Sequence, residues 1–260
     1  MAAERPPRAA TLARREALVQ RLAGADPVDV DALADEFGVS PSTIRRDLAS
    51  LERGGHVLRV LGGAVKRPLD ASWHEKAERQ ADVKRRLAAR ACELVAPDSL
   101  VFLDAGTTVA AMAGTLATRA DLTVATVGLP SLFTMADGAA QIIVLGGRLD
   151  RRGGRLLGAL TEQILSLIRP DIAFLGADSL DPVHGVNCPD AETAAIKMRV
   201  MAMSATSWVL ADRTKLTGVH RHRYWAPLPR NVGLVVERMG SAQRGVVDAL
   251  ARRGHRIIEV

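Results

Sequence analysis

The sequence predicts an α/β fold in two parts: a small helical unit with a trailing hairpin, then a larger doubly wound unit on a mostly parallel sheet. Three observations predict it. Residues 11–66 show helical periodicity punctuated by Gly38, Gly54 and Gly55 and closed by two short extended stretches. From Lys84 onward, apolar strand-like runs alternate with helical patterns, as in a sheet covered on both faces. Between these regions, residues 67–83 mix Pro68, Trp73 and many charges, which reads as a linker turning helical near Lys84. The expected boundaries are therefore 11–66, 67–83 and 84–260.

The first unit follows element by element. Thr11 to Leu22 carries Leu12, Leu18, Val19 and Leu22 on one helical face, and Val30 to Phe37 spaces Leu33 and Phe37 the same way. Gly38 stops this second helix, since glycine tolerates positive φ. SPSTIRRDLASLERGG then opens a third, with Ser40 as N-cap and Pro41 at the first helical position, where its missing N–H costs nothing. Gly54 and Gly55 end it. HVLRVLGGAVKR reads as two extended stretches around Gly62-Gly63, a hairpin signal.

On a wheel, Ile44, Leu48 and Leu51 form one apolar stripe, and Ser42, Arg46, Ala49 and Arg53 lie opposite, with Arg45 on the flank. Ser40, Ser42 and Thr43 place hydroxyls at the N-terminal end. A helix entering the major groove of DNA needs this layout, with base edges met by its first residues and guanine or phosphate by its arginines. From Ser40 to Arg67 six Lys/Arg face two acids, a net of +4. The expected DNA-binding residues are Ser40, Ser42, Thr43, Arg45, Arg46 and Arg53, with Arg59 and Lys66 from the hairpin. A solvated surface helix is the plainer alternative. Turn, cap, face segregation and hairpin together favour DNA.

In the second unit, strand-like runs appear at Leu100 to Leu103, Leu122 to Val127, Ile142 to Leu145, Ile172 to Leu175, Trp208 to Leu210, Val232 to Val236 and Ile257 to Val260. Helical patterns lie between most of them: Lys84 to Val95, Val109 to Ala117, Leu157 to Ile168, Glu192 to Ala205 and Ala242 to Arg252. Ligands of open α/β sheets bind at the carboxyl ends of strands. There the sequence offers Asp104 followed by Gly106, Thr107 and Thr108, whose N–H groups at a helix start favour an anion. Further turns carry Gly146-Gly147-Arg148, Gly176-Ala177-Asp178, and Asp212 with Lys215. Lys215 suits a phosphate, and Asp104 or Asp178 can accept from sugar hydroxyls. Ordinary βα turns use the same residue types for capping, so turn chemistry alone stays an alternative at each.

Composition bounds the reading. The 260 residues are 48% hydrophobic and 25% charged, which excludes a disordered or collagen-like chain. No apolar run approaches the roughly 18 residues of a membrane span. MAAERPPRAA holds Arg and Pro where a secretory signal needs an apolar stretch, so it reads as a frayed tail and the protein as cytoplasmic. Thirty-five Lys and Arg against 29 Asp and Glu give +6, which permits an anionic partner. Aromatics at 3% argue against stacking on single-stranded bases. Cys92 and Cys188 form no disulfide framework, and Cys188 with His184 supplies too few ligands for a metal. His220 and His222 read as a solvated basic loop in preference to a metal site, with a weak contribution to ligand entry as the alternative, and neither a Gly-x-Ser-x-Gly elbow nor a Walker-type loop occurs.

VSPSTIRRDLASLERGGHVLRVLGGA resembles the N-terminal signature of DeoR-family bacterial transcription regulators: a valine-serine turn, a Thr-Ile-Arg-Arg-Asp-Leu core, Leu-Glu, Gly, and an Arg-containing wing ending Gly-Gly-Ala. Leu61 departs from it, where the family often has His. The resemblance continues along nearly the whole chain. It implies a winged helix-turn-helix joined to a sugar-phosphate-sensing domain, in a fold shared with ribose-phosphate isomerase and CoA-transferase-like proteins. It makes DAGTT the effector-phosphate loop. It also matches Lys84, Gly146, Gly147, the Asp-x-Thr-Lys of ADRTKL, and the acidic-to-Lys helix from Asp190 to Lys197 to family positions. Val127 departs, standing where the family usually has Asn after Thr.

The expectation is a non-enzymatic, sequence-specific DNA-binding regulator, a repressor of carbohydrate-metabolism genes controlled by a phosphorylated sugar. Its partners would be double-stranded operator DNA, that effector and further copies of itself in a homodimer or homotetramer, with no membrane, metal or other cofactor. The effector residues would be Lys84, Asp104, Gly106, Thr107, Thr108, Gly146, Gly147, Asp178 and Lys215. The alternative is a sugar-phosphate isomerase with an appended DNA-binding head, for which no acid/base pair can be assigned.

Overall fold

The computed structural model describes residues 8–22, 29–53, 57–60, 63–66, 73–151, 153–219, 222–240 and 244–260. The chain divides into two compact units, Met1–Ala71 and Ser72–Val260.

The first unit holds helices α1 (Arg8–Arg21), α2 (Val30–Phe37) and α3 (Pro41–Arg53) and the antiparallel pair β1 (Val57–Val60) and β2 (Gly63–Lys66). α1 starts at Arg8, inside the segment expected to be frayed, because Ala9 and Ala10 are strong helix formers. Asp29 caps α2, its Oδ1 accepting from the amides of Asp31 at 2.8 Å and Ala32 at 3.3 Å. Gly38 ends α2 at φ 62°, a left-handed conformation costly to other residues. Ser40 Oγ accepts from the Thr43 amide at 3.3 Å and so caps α3. Leu18, Leu22, Leu33, Ile44, Leu48 and Leu51 close the core between the three helices. Asp47 is buried on α3 and accepts from Arg14 Nε and Arg15 Nε of α1, each at 2.8 Å. This carboxylate fixes α3 to α1. The hairpin residues Leu61 and Gly62 lie outside the described residues.

The segment expected as a linker contains a helix from residue 73 onward, α4 (Trp73–Glu78), within the second unit, and α5 (Ala81–Cys92) begins ahead of Lys84. There follow β3 (Leu100–Leu103), α6 (Thr107–Ala110), α7 (Ala113–Ala117), β4 (Thr123–Thr126), α8 (Leu129–Met135), β5 (Gln141–Val144), the hairpin β6 (Arg148–Asp150) and β7 (Arg155–Leu157), α9 (Ala159–Ser166), β8 (Ile172–Gly176), β9 (Ser179–Asp181) and β10 (Gly185–Cys188). The chain closes with α10 (Ala191–Met203), β11 (Thr206–Ala211), β12 (Tyr224–Ala226), β13 (Val232–Val236), α11 (Gly245–Arg252) and β14 (Ile257–Glu259).

Seven strands form the main sheet in the order β14-β13-β11-β8-β3-β4-β5, every neighbouring pair parallel. Each of the seven runs read as a strand supplies one of them. Alternate residues feed two cores: Phe102, Ala125, Ala173, Leu175 and Val209 on one face, and Val101, Leu103, Val124, Phe174 and Leu210 on the other. Burial on both faces explains the near-continuous apolar runs. The chain winds outward from β3 through β4 to β5, then returns to lay β8 on the other side of β3. The strand order reverses between β3 and β8, and such a switch point opens a crevice at the carboxyl ends. Helix α8 and the small antiparallel sheet β12-β10-β9 were not anticipated from the sequence. Among the described residues no helix is long and apolar enough to cross a membrane.

Candidate DNA interface and effector site

On α3, burial follows the wheel. Ile44, Leu48 and Leu51 are buried, while Ser42, Arg45 and Arg46 are exposed along with the capping Ser40. Ser40 Oγ lies 2.9 Å from both Ser42 Oγ and Thr43 Oγ1, so the three hydroxyls organise one another at the N-terminal end. Arg45 approaches Asp31 of α2 at 4.0 Å, a solvated pair worth little. Arg46 thus stands on the open face. The side chains of Arg53, Arg59 and Lys66 lie outside those described.

The second constellation sits where the sheet order reverses. Strands β3, β8 and β11 are adjacent, and their carboxyl ends carry Asp104, Asp178 and the turn Asp212–Lys215. Gly106 and Gly176 meet backbone to backbone. A Cβ on Gly106 would lie 3.2 Å from Gly176 Cα, so these two loops approach this closely only without side chains. Thr107 and Thr108 open α6, and helix-start N–H groups have no acceptor within their own helix.

Asp104 does not face the crevice as an open acceptor. Its Oδ1 accepts from the Ala105 amide at 2.8 Å and its Oδ2 from the Gly176 amide at 3.0 Å and from Lys197 Nζ of α10. Lys197 Nζ also donates to the Gly176 carbonyl at 2.7 Å. Both side chains are buried, and although burial opposes it, the Asp104 charge holds the Lys197 ammonium above its ordinary pKa. The pair is a strut that fixes the β3 and β8 loops against each other.

Lys84 is buried and donates from Nζ to the carbonyl of Lys76. Burial lowers its pKa to about 8, Asp212 acts against this, and Lys215, Arg79 and Lys76 add like-charge repulsion. Lys84 and Lys215 therefore share one neighbourhood. Lys76 Nζ lies 3.1 Å from Asp178 Oδ1, and His222 Nε2 lies 3.4 Å from Asp178 Oδ2. Burial opposes ionisation of Asp178, but His222 and Lys76 hold its carboxyl far below the usual range. His222 is thus drawn out of the solvated loop expected for it, its backbone held by Asn187 Oδ1 at 2.9 Å. His220 lies outside the described residues.

Gly146 and Gly147 follow β5, with β4 between them and β3. Thr161 donates to the Gly146 carbonyl, and a Cβ on Gly147 would stand 2.6 Å from the Leu157 carbonyl oxygen. Val127 is buried in the apolar core beside Ala105, Leu145 and Leu157. The polar task at that strand end falls to Thr126, whose Oγ1 donates to the Leu103 carbonyl and accepts from the Gly128 amide, both at 2.9 Å. Cys188 is buried, which pushes its thiol up to about 12, and His184 Nδ1 lies 2.9 Å from Asp181.

Sequence reasoning left Lys76, Lys197 and His222 out of the effector residues, although the resemblance matched the stretch from Asp190 to Lys197 to a family position. Lys197 had a usable signal. It falls between Ala194 and Val200 on an apolar stripe, where a lysine needs a buried partner. Lys76 lies in a charge-rich segment that gave none, and His222 offered only a weak link to ligand entry.

Residues 14–67 match the DeoR-like helix-turn-helix domain, and residues 79–228 match the DeoR C terminal sensor domain. A putative aga operon transcriptional repressor of Escherichia coli O157:H7 is 31% identical over 82% of this chain and 81% of its own. The glycerol-3-phosphate regulon repressor of Escherichia coli K12 is 31% identical over 72% of this chain and 76% of its own. Ribose 5-phosphate isomerase from Methanocaldococcus jannaschii superposes with a TM-score of 0.39 at 18% identity, covering 52% of this chain and 54% of that one. Two domain matches that together take in both units, and relatives that are themselves repressors, show that the chain belongs to the DeoR family of DNA-binding transcriptional regulators.

Proposed function

We propose that this protein is a repressor whose second unit binds a phosphorylated sugar or a related phosphate ester and thereby weakens its hold on operator DNA. One observation carries the reading: a buried lysine, Lys84, feels the charges of Asp212 and Lys215 from the turn after β11, and lies on the helix that follows α4, itself packed against α6. An ammonium desolvated among other cations is under-compensated, and an anion supplied there relieves it. Thr107 and Thr108 would donate from the loop and Lys215 would add a full charge, with Gly106 allowing close approach. Asp178 would meet the hydroxyl end. Asp104 would shape the loop through Lys197. Gly146 and Gly147 would border the far side of the crevice. The names of the two repressors, one of a glycerol-3-phosphate regulon, support a phosphate ester.

On DNA, α3 would enter the major groove with Ser42, Thr43, Arg45 and Arg46 leading, and Arg53, Arg59 and Lys66 would meet the backbone. A homodimer or homotetramer would read repeated half-sites. Control is then linkage. An effector that prefers the arrangement unfit for operator lowers operator affinity by its differential binding energy, and operator lowers effector affinity equally.

The test is calorimetry of the full chain against sugar phosphates and their unphosphorylated parents. Phosphate esters should bind and the parents should not. Lys215→Ala should cost about 1.5–3 kcal/mol of ester affinity, as for a lost charge-assisted hydrogen bond, while binding to operator selected from random duplexes persists. Equal affinity for the parents would overturn the phosphate reading.

A further inference from the structure

Helix α4 has six residues, too few to hold helical form without tertiary support. Among the described residues, three contacts help to seat it. Lys84 Nζ donates to the Lys76 carbonyl, one of the last-turn carbonyls that a helix leaves without an N–H partner. Lys76 Nζ pairs with Asp178 at 3.1 Å. The helix also packs against α6, the element that opens from the Gly106–Thr108 loop. Each foothold is a group assigned above to the anion site: the Lys84 ammonium, the Asp178 carboxylate and the edge of the loop.

We infer that α4 occupies the effector's ground, and that an anion bound by Lys84 and Lys215 unseats it. The inference rests on the phosphate reading of the site and adds to it the means of regulation. A phosphate oxygen is a stronger acceptor for a buried ammonium than a peptide carbonyl, because the bond is charge-assisted. Its charge also repels Asp178 and attracts Lys76. Lys76 therefore leaves Asp178 for the anion, and Asp178 keeps the His222 ring, whose Nε2 lies 3.4 Å away. Two polar ties of α4 are drawn on at once.

The position of α4 in the chain gives this exchange a consequence. Residue 71 closes the first unit and α4 begins at residue 73, so α4 is the first element of the sensing unit that the chain enters on leaving the DNA-binding one. A ligand that loosens α4 acts on the element at which the chain passes from the DNA-binding unit into the sensing one. No long route through the sheet is needed, since the reporting helix itself borders the site.

The experiment uses the full-length protein with inorganic phosphate as the probe. Calorimetry first measures whether phosphate binds. Amide hydrogen exchange then follows the α4 amides, with the β8 and β11 amides as internal reference. At saturating phosphate the α4 amides should exchange about tenfold faster, as for local opening of a weakly held segment, while the reference amides do not. In Lys76→Met the α4 amides should already exchange fast without phosphate, and phosphate should add less than it does in the native chain. Phosphate that binds with α4 exchange unchanged or slowed overturns the inference and leaves the site standing; that outcome means Lys84 serves anion and carbonyl together. Absence of phosphate binding overturns the site reading, and the inference with it.

Discussion

Lys197 and Asp104 are both shut away from water, and each is tolerable only because of the other. Removing one partner of a buried pair strands a charge, whereas removing both leaves a neutral pocket. Lys197→Met alone should therefore cost about 3 kcal/mol in urea unfolding. The double variant Lys197→Met, Asp104→Asn should recover much of that loss, and equal losses in the two would deny the pair its role. Lys84 carries the opposite balance, since its folded pKa of about 8 lies below the ordinary 10.5. Between those values the unfolded chain holds more protons, so stability gains as pH rises through that window and the cost is fully present below it. Lys84→Met should melt higher than the native protein at pH 7. The advantage should shrink as pH climbs from about 8 towards 10.5, and ester binding should be lost. A lower Tm at pH 7 would show that Lys84 stabilises the fold instead of straining it. A buried lysine that costs the fold stability is a candidate for binding.

At the scale of elements, α3 carries the test of DNA reading. Arg46→Ala should remove about 1–3 kcal/mol of discrimination at one base pair if the contact is bidentate to guanine. If it meets a phosphate, all sequences should weaken alike and the salt slope should fall by about one. Unchanged operator binding in a folded variant would take α3 out of the interface. This helix was readable in advance because cap, stripe and stop are local signals, and so were the strands of the main sheet, whose double burial writes a plain apolar run. Short pieces were not. Strands β9, β10 and β12 are three or four residues long and owe their form to pairing with one another, and α4 owes its form to Lys84 and Asp178. The site divides the same way. Residues at strand ends were nameable one by one, but Lys76 meets Asp178 across 102 positions and Lys197 meets Asp104 across 93, and no local pattern records such a meeting. Asp104 was read as a hydroxyl acceptor because its carboxylate was visible in the sequence and its buried partner was not.

For the whole molecule, the separation of the chain into two units predicts that residues 72–260 fold alone, bind phosphate esters, and fail to shift operator DNA in a gel. A shifted band would place DNA contacts in the sensing unit. The doubly wound order carries a further consequence, in time. Gly106 to Thr108 lie early in the sheet, but Gly176, Lys197 and Lys215 come from the strands and helix added after the chain has returned past β3. At about 5–20 residues per second the ribosome needs roughly 5–20 s to travel from Thr108 to Lys215. Throughout that interval the DNA-binding unit, which ends at Ala71, is already synthesised while the Gly106–Thr108 loop still lacks its later neighbours. In a nascent chain of this kind the unit that grips DNA precedes the assembled sensing unit, so the capacity to bind arises before the capacity to be told to let go.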